Sequence, residues 1–313
     1  MSPAVAPSGE QYQIAGGGYH AVITEGGATL RSLRFAGRDL VDGFDEDAMP
    51  WRGRGQILAP WPNRIGDGRY SFGGAEHQLP LSEPARRNAS HGLVRWAAWT
   101  LEEHTSHSVS LQYRLIAQSG YPWTLDLHVL YDLSADGLTV TQTCTNVSVE
   151  PAPYASGAHP YLTVGPGPVD TWELTLPADT RAQNDERQLP TTRESVAETD
   201  YDFRIARPLR DVGLDHGFTD LMRDDEGVAT TTVRDPASGR AVSLWVDRAH
   251  RWLQVYTADD VPHARRRSIA VEPMTAGADA FRTRDDLITL APAGQDGDEV
   301  SVSWGIRAVD EGP

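Results

Sequence analysis

The strongest constraint in this sequence is alternation with a period of two. Leu125, Leu127, Val129, Tyr131 and Leu133 alternate with Asp126, His128 and Asp132. Leu111, Tyr113 and Leu115 do the same just upstream, and Leu138, Val140 and Gln142 open a further run flanked by Thr. Near the end, Val300, Val302, Trp304 and Ile306 alternate with Ser301, Ser303 and Gly305. Successive side chains of a strand point to opposite faces, so each run predicts a strand with one buried face. Turn signals separate the runs at short intervals, at Gly73-Gly74, Ala135-Asp136-Gly137, Asp235-Pro236 and Ser238-Gly239. Many strands joined by tight turns, with little helical periodicity, predict an all-β fold, a large antiparallel sandwich. Only weak helical turns are expected, near Arg38 to Ala48.

The 313 residues suffice for one large core, and all-β sandwiches of this size form single domains. The expected organisation is a loose tail over residues 1–9 and one β-sandwich domain over 10–313. The polar stretch from Pro177 to Pro208 reads as an excursion on that sandwich. A net charge of −16 argues against nucleic acid, whose binding rests on neutralising phosphate. The one dense basic run, Arg265-Arg266-Arg267, reads as a solvated loop. The single cysteine, Cys144, excludes an intrachain disulfide and a thiolate metal site, and reads as a small buried hydrophobe. No signal peptide and no membrane span are predicted, which makes the cytoplasm the expected location.

Four short segments set titratable groups among Gly, Pro and aromatics. They are Ala59-Pro-Trp-Pro-Asn-Arg-Ile65, Ser90-His-Gly-Leu93, Gly157-Ala-His-Pro-Tyr-Leu162 and Ala270-Val-Glu-Pro-Met274; Leu214-Asp-His-Gly-Phe218 is a weaker fifth. Taken singly, each polar residue except His159 and Glu272 has a structural reading as good as a functional one. Taken together they are more informative. Phosphate loops, Cys/His metal patterns and a G-x-S-x-G nucleophile turn are all missing from the sequence. His91, His159 and Glu272 form a conceivable metal set without support from their neighbours. What remains is a His/Glu acid–base pair with Arg, Asp and a second His for hydrogen bonding. Trp61, Tyr161 and Phe281 offer flat apolar faces for a sugar ring. That inventory suits proton transfer on a neutral polyol without a cofactor or metal.

In this order and spacing, P-W-P-N-R-I-G-D-G-R-Y at 60–70, H-G-L at 91–93, H-P-Y-L at 159–162 and V-E-P-M-T at 271–275 resemble the aldose 1-epimerase (galactose mutarotase-like) superfamily, from about Gln13 to Val309. The resemblance implies a β-supersandwich with a sugar cleft and interconversion of the α and β anomers of a free aldose. It makes Glu272 the general base and His159 the general acid. His91 and Arg64 would hold ring or hydroxyl oxygens, Asp215 would accept from sugar hydroxyls, and Asn63 would support Arg64 or the sugar. The partner expected is a monosaccharide, and the chain a monomer or homodimer. Pro60-Trp61-Pro62 before Asn63-Arg64, and Pro273-Met274-Thr275 after Glu272, set it apart from the galactose-type pattern as a divergent bacterial branch. Two alternatives share the fold: a hexose-6-phosphate 1-epimerase, with Arg52, Arg54, Arg69 and Arg86-Arg87 near the first two motifs, and a non-catalytic sugar-binding or regulatory protein. A glycosidase would want two carboxylates flanking the bond, and would leave both histidines without roles.

Overall fold

In a computed structural model, which describes residues 5–310, the alternating segments are strands. Leu125–Ser134 buries every odd-numbered residue from Leu125 to Leu133, and Gly137–Asn146 pairs with it over its full length through the two-residue turn Ala135-Asp136. The Thr and Ser of Gly137–Asn146 and Glu299–Asp310 face each other on the outer side, with Thr141 and Thr143 hydroxyls bonded to Ser303 and Ser301. Both belong to a nine-stranded antiparallel sheet running, in spatial order, Thr100–His104, Ser108–Leu115, Leu125–Ser134, Gly137–Asn146, Glu299–Asp310, Arg240–Val246, Ala229–Arg234, Glu173–Thr175 and Arg207–Pro208.

An eight-stranded antiparallel sheet carries Pro190–Ser195, Ala178–Asn184, Asp215–Leu221, Trp252–Tyr256, Ile269–Met274, Gly157–Ala158 and Ile57–Leu58 in that order, with Tyr161–Leu162 also paired to Ile269–Met274. One hydrophobic core takes Leu127, Val129, Tyr131 and Val140 from the first sheet and Phe218, Leu253, Val255 and Val271 from the second. Because the pleat alternates, the residues between those core positions, Gly217, Gln254 and Glu272, lie on the opposite face of the eight-stranded sheet. That face carries the site.

Among the described residues, helix is confined to Ala280–Thr283 and two 3-10 turns, Pro84–Arg86 and Val169–Thr171. The span from Arg38 to Ala48, where helical turns were expected, instead holds the short strand Arg38–Asp39 and turns. The polar stretch after Pro177 is part of the sheet: Ala178–Asn184 and Pro190–Ser195 form a hairpin that extends its edge. Arg265-Arg266-Arg267 is only partly solvated. Arg266 is buried, and its guanidinium bonds Asp170 and Asp259 and caps the carbonyls of Arg210 and Val212. Two carboxylates and two carbonyls on one guanidinium convert an arginine from surface charge to structural cross-link. Cys144 is buried in the core, as expected of a small hydrophobe. Of the tail expected over residues 1–9, residues 1–4 lie outside the described residues, and Ser8 is buried with its carbonyl accepting from the Gly26 N–H. Among the described residues no helix is long and apolar enough to cross a membrane.

Candidate active site

The motifs separated in sequence become neighbours through strand pairing. Arg64–Gly66 pairs with Asn88–Ser90, with Arg64 opposite Ser90, so the first two segments run side by side. The chain leaves these strands through left-handed residues, Asn63 at φ 54° and His91 at φ 61°, and the His91 N–H donates to the Asn63 carbonyl at 2.7 Å. His159 follows Gly157–Ala158, which is wedged between Ile57–Leu58 and Ile269–Met274. Its N–H donates to Gln56 O and its carbonyl accepts from Gly55 N–H, which ties the backbone at both sides of the ring.

The result is a cavity of about 230 Å³ with His91, His159, Glu272, Asp215, Arg64 and Asn63 in its wall. His159 Nε2 and Glu272 Oε1 are 3.2 Å apart, and both side chains are almost wholly buried. His159 Nδ1, His91 Nδ1 and Glu272 Oε2 have no hydrogen-bond partner within the protein. Buried polar atoms are usually paired, so three orphans on one wall mark a surface shaped for a polar ligand. The rings of His91 and His159 meet edge to face with centroids 5.4 Å apart.

Burial sets the charges here. It raises the Glu272 pKa well above the ordinary carboxylate value, with the Asp215 charge adding to it and Arg64 opposing. It pushes His159 down to about 3, reinforced by the nearby arginines, and His91 well below the ordinary histidine value, reinforced by His159. Asp215 is also raised by burial, against the pull of Arg64 and the hydrogen bond from Gln254. Burial therefore favours the uncharged form of both groups, a protonated Glu272 beside a neutral His159. Strongly perturbed groups gathered in one cleft are the electrostatic mark of a functional site.

Arg64 is fixed by Glu83, which accepts from Nε at 2.8 Å and from Nη2 at 3.2 Å, while Asn63 Oδ1 accepts from Nη1 at 3.4 Å. Burial opposes the Arg64 charge, but Glu83, Asp215 and Glu272 outweigh it and raise its pKa. Asp215 Oδ1 accepts from Gln254 Nε2 at 2.8 Å.

None of the three expected sugar-facing aromatics lines the cavity. Trp61 is buried in the core, edge-on to Phe281 with centroids 5.6 Å apart, so neither ring is offered to a ligand. Tyr161 is buried behind His159 and stacks on it. Of the arginines considered for a phosphate, Arg52 and Arg86 reach the cavity. Arg54 is instead buried against Asp42 and Trp51, while the exposed Arg69 and Arg87 bond Gln78 and Asp67. Gln254, Tyr256, Glu83 and Arg95 line the cavity without having stood out in the sequence. The signal for the first two was present in Trp252–Tyr256, where alternation with Leu253 and Val255 turns a polar pair away from the core. Among the described residues no three His, Cys, Asp or Glu side chains are grouped so as to hold a metal ion.

Residues 10–300 match the family model described as aldose 1-epimerase. The chain is 37% identical over 284 residues to the uncharacterized protein YihR of Escherichia coli K12, covering 90% of this chain and 89% of that one. It is 27% identical over 282 residues to mouse galactose mutarotase, covering 81% and 80%. Among solved structures, the GalM/aldose epimerase homologue from C. elegans superposes with a TM-score of 0.84 at 21% identity, covering 96% of this chain and 99% of that one. The galactose 1-epimerase from Lactobacillus acidophilus NCFM gives 0.76 at 21% identity, covering 93% and 92%.

Proposed function

This chain belongs to the aldose 1-epimerase family of isomerases, a galactose mutarotase-like β-sandwich, and from that premise we propose that it interconverts the α and β anomers of a free aldose such as glucose or galactose. The observation that carries the reading is the buried His159–Glu272 contact of 3.2 Å facing a polar cavity.

Ring opening needs a base at the anomeric hydroxyl and an acid at the ring oxygen. Glu272 takes the O1 proton as His159 gives one to O5, the O5–C1 bond breaks, and an aldehyde forms at C1. Rotation about C1–C2 presents the other carbonyl face. O5 then attacks C1, returning its proton to His159 while Glu272 reprotonates O1. The open-chain complex thus pairs a protonated Glu272 with a neutral His159, the charge state that burial favours in the empty cavity. Ring opening starts from the opposite state, carboxylate and imidazolium. Sugar hydroxyls that meet the orphaned Glu272 Oε2 and His159 Nδ1, together with the Arg64 charge, stabilise that state on binding. In this reading Arg64 and His91, both in the cavity wall, donate to sugar oxygens, and Asp215 accepts from hydroxyls.

A second reading is supported by Arg95. Its guanidinium lies in the cavity wall, packs over Trp96 with its carbon 5.5 Å from the ring centroid, and makes no salt bridge among the described residues. An unpaired cation beside Arg52 and Arg86 suits an aldose bearing an anionic group, as in a hexose 6-phosphate.

The test follows the optical rotation of freshly dissolved α-D-glucose and α-D-galactose, with wild type and with Glu272→Gln, beside a panel of hexose 6-phosphates. Acceleration by wild type that the variant loses is the expected result, and the better substrate decides between the free and phosphorylated sugar. Sugar binding with no acceleration across the panel would replace the enzyme by a binding protein.

A further inference from the structure

The strand that carries Arg64 has a partner strand on one edge only. Arg64–Gly66 and Asn88–Ser90 form a two-stranded sheet. The His91 N–H donates to Asn63 O and the Asp67 N–H to Arg87 O, so the odd-numbered residues face the partner strand. Backbone groups of an antiparallel strand alternate between its two edges, which turns Arg64 and Gly66 to the other edge. Among the described residues no third strand follows there. Asp279 takes its place. Its N–H donates to Arg64 O at 2.6 Å, and its Oδ1 accepts from the Gly66 N–H at 2.9 Å. One residue thus meets both groups of the free edge and closes on the backbone at either side of Ile65.

The contact is held from several sides. Asp279 is buried, at a left-handed φ of 62°, a region that aspartate and asparagine enter more readily than most residues. Its Oδ2 pairs with Arg282 Nη1 at 3.3 Å. Gly66 leaves the room for that guanidinium, since a Cβ there would collide with Arg282 Nη1. The chain leading from Glu272 to Asp279 is equally fixed. Met274 is paired with Gly157, the Thr275 N–H donates to Ser156 O at 2.9 Å, and Thr275 Oγ1 accepts from the Ser156 N–H at 2.9 Å. Ser156 and Gly157 lead directly into His159. The segment that carries Glu272 is therefore bound first to the segment that carries His159, and then, at Asp279, to the strand that carries Arg64. Asp279 itself stays out of the cavity wall.

We propose that Asp279 is a positioning residue, whose carboxylate stands in for a third strand and sets the depth at which Arg64 faces Glu272 and the sugar. The proposal rests on the epimerase reading of the cavity, in which Arg64 donates to sugar oxygens. Glu83 holds the Arg64 guanidinium, and Asp279 holds the backbone beneath it. Both ends are needed, because a guanidinium clamped only at its tip still moves with its strand. Without the carboxylate the buried Gly66 N–H loses its acceptor, and the strand shifts to find another.

The experiment measures kcat/KM for glucose and galactose by polarimetry, with Tm alongside, in wild type, Asp279→Gly, Asp279→Asn, Arg64→Gln and the double variant Asp279→Gly with Arg64→Gln. Glycine takes a φ of 62° without strain, so Asp279→Gly removes the carboxylate alone. It should lower kcat/KM by about 10- to 100-fold, the cost of roughly 1 Å of misplacement. Asp279→Asn keeps an oxygen for the Gly66 N–H and should stay within about threefold of wild type. In the Arg64→Gln background, Asp279→Gly should cost less than about threefold more, because the two residues act as a unit. A merely structural residue would cost the same in both backgrounds, and that result overturns the proposal. Wild-type rates in Asp279→Gly overturn it too, as does an Asp279→Asn no better than Asp279→Gly. Where Asp279→Gly does not fold, Asp279→Ser takes its place in the cycle, its oxygen one bond short of the carboxylate's reach. If wild type epimerises neither these sugars nor hexose 6-phosphates, the epimerase reading fails, and titration calorimetry with glucose and galactose reads the same cycle. A non-additive loss of binding then keeps Asp279 as the support of Arg64, and an additive loss, or no binding, removes it.

Discussion

The imidazole of His159 lies flat against the ring of Tyr161, their centroids 5.0 Å apart and their planes within 6°. The two residues flank Pro160, and the Tyr161 ring is held in turn by Trp51, by Arg54 and by a hydrogen bond from its hydroxyl to Arg52 O at 3.3 Å. Tyr161 is thus a positioning residue: it fixes the plane from which Nε2 meets Glu272. Tyr161→Ala should lower kcat by about 10- to 100-fold, the cost of roughly 1 Å of misplacement, with little change in KM. Tyr161→Phe keeps the ring and should restore most of kcat. A loss of the same size in Tyr161→Phe would show that the hydroxyl, not the stack, matters.

This stack shows where sequence reading stopped. The alternation of Leu125–Ser134 is a local property and was legible as it stands, as were His159 and Glu272 among their glycines and prolines. The faces of Trp61 and Tyr161 were not legible. An aromatic beside a catalytic residue can face the ligand or back the catalyst, and only packing decides. Here Trp61 is enclosed with Phe281 in the core, and Tyr161 is covered by the histidine it supports. Gln254 joins Glu272 through the pairing of two strands, a relation between segments that neither shows by itself. Arg266 looked solvated because its carboxylate partners, Asp170 and Asp259, come from separate loops.

The charge state of the pair makes a pH prediction. Depression of His159 to about 3 moves the gain of a second proton below the ordinary histidine range. Elevation of Glu272 moves the loss of its proton above the ordinary carboxylate range. His159 therefore gains no proton in the ordinary histidine range, and kcat/KM, which reports the free enzyme, should show no acid-side loss near pH 6.5. Polarimetry at fixed ionic strength from pH 5 to 8 checks this. A drop of activity on acidification through about 6.5, the unperturbed histidine value, would place His159 in a wetter setting than its burial implies.

Glu83 is the support of Arg64. It also accepts from Arg86 at 2.8 Å and from Asn88 at 3.1 Å. Burial opposes its charge, yet these hydrogen bonds, led by Arg64, hold its pKa at about 2 against an ordinary 4.5. Glu83→Gln should cost about tenfold or more in kcat/KM, since charge-assisted bonds contribute about 1.5–3 kcal/mol each. The linkage has a definite sign. A carboxylate depressed on folding contributes stability that is present above 4.5 and is lost as pH falls towards 2. The difference in Tm between wild type and Glu83→Gln should therefore shrink between those two values. A constant difference would mean that the charge of Glu83 contributes nothing to the clamp.

Gly53 limits how far the His159 side of the cavity can change. Its φ of +76° is left-handed, and a Cβ there would stand 2.8 Å from His159 Cδ2. Two penalties meet at one position: backbone strain of about 1 kcal/mol or more for a side chain in that region, and a contact too short for any carbon pair. The imidazole cannot retreat, because Tyr161 lies stacked against it. Nor can its backbone, bonded to Gln56 and Gly55. Gly53→Ala should therefore lower Tm and also lower kcat, by tilting the ring away from Glu272. A second variant separates the two penalties. Gly37, at φ +81° with nothing within 4 Å of its added Cβ, carries the strain without the clash. Gly37→Ala should lower Tm by a comparable amount and leave kcat unchanged, whereas an equal fall of kcat in both would mean that lost stability, not the position of His159, limits the rate.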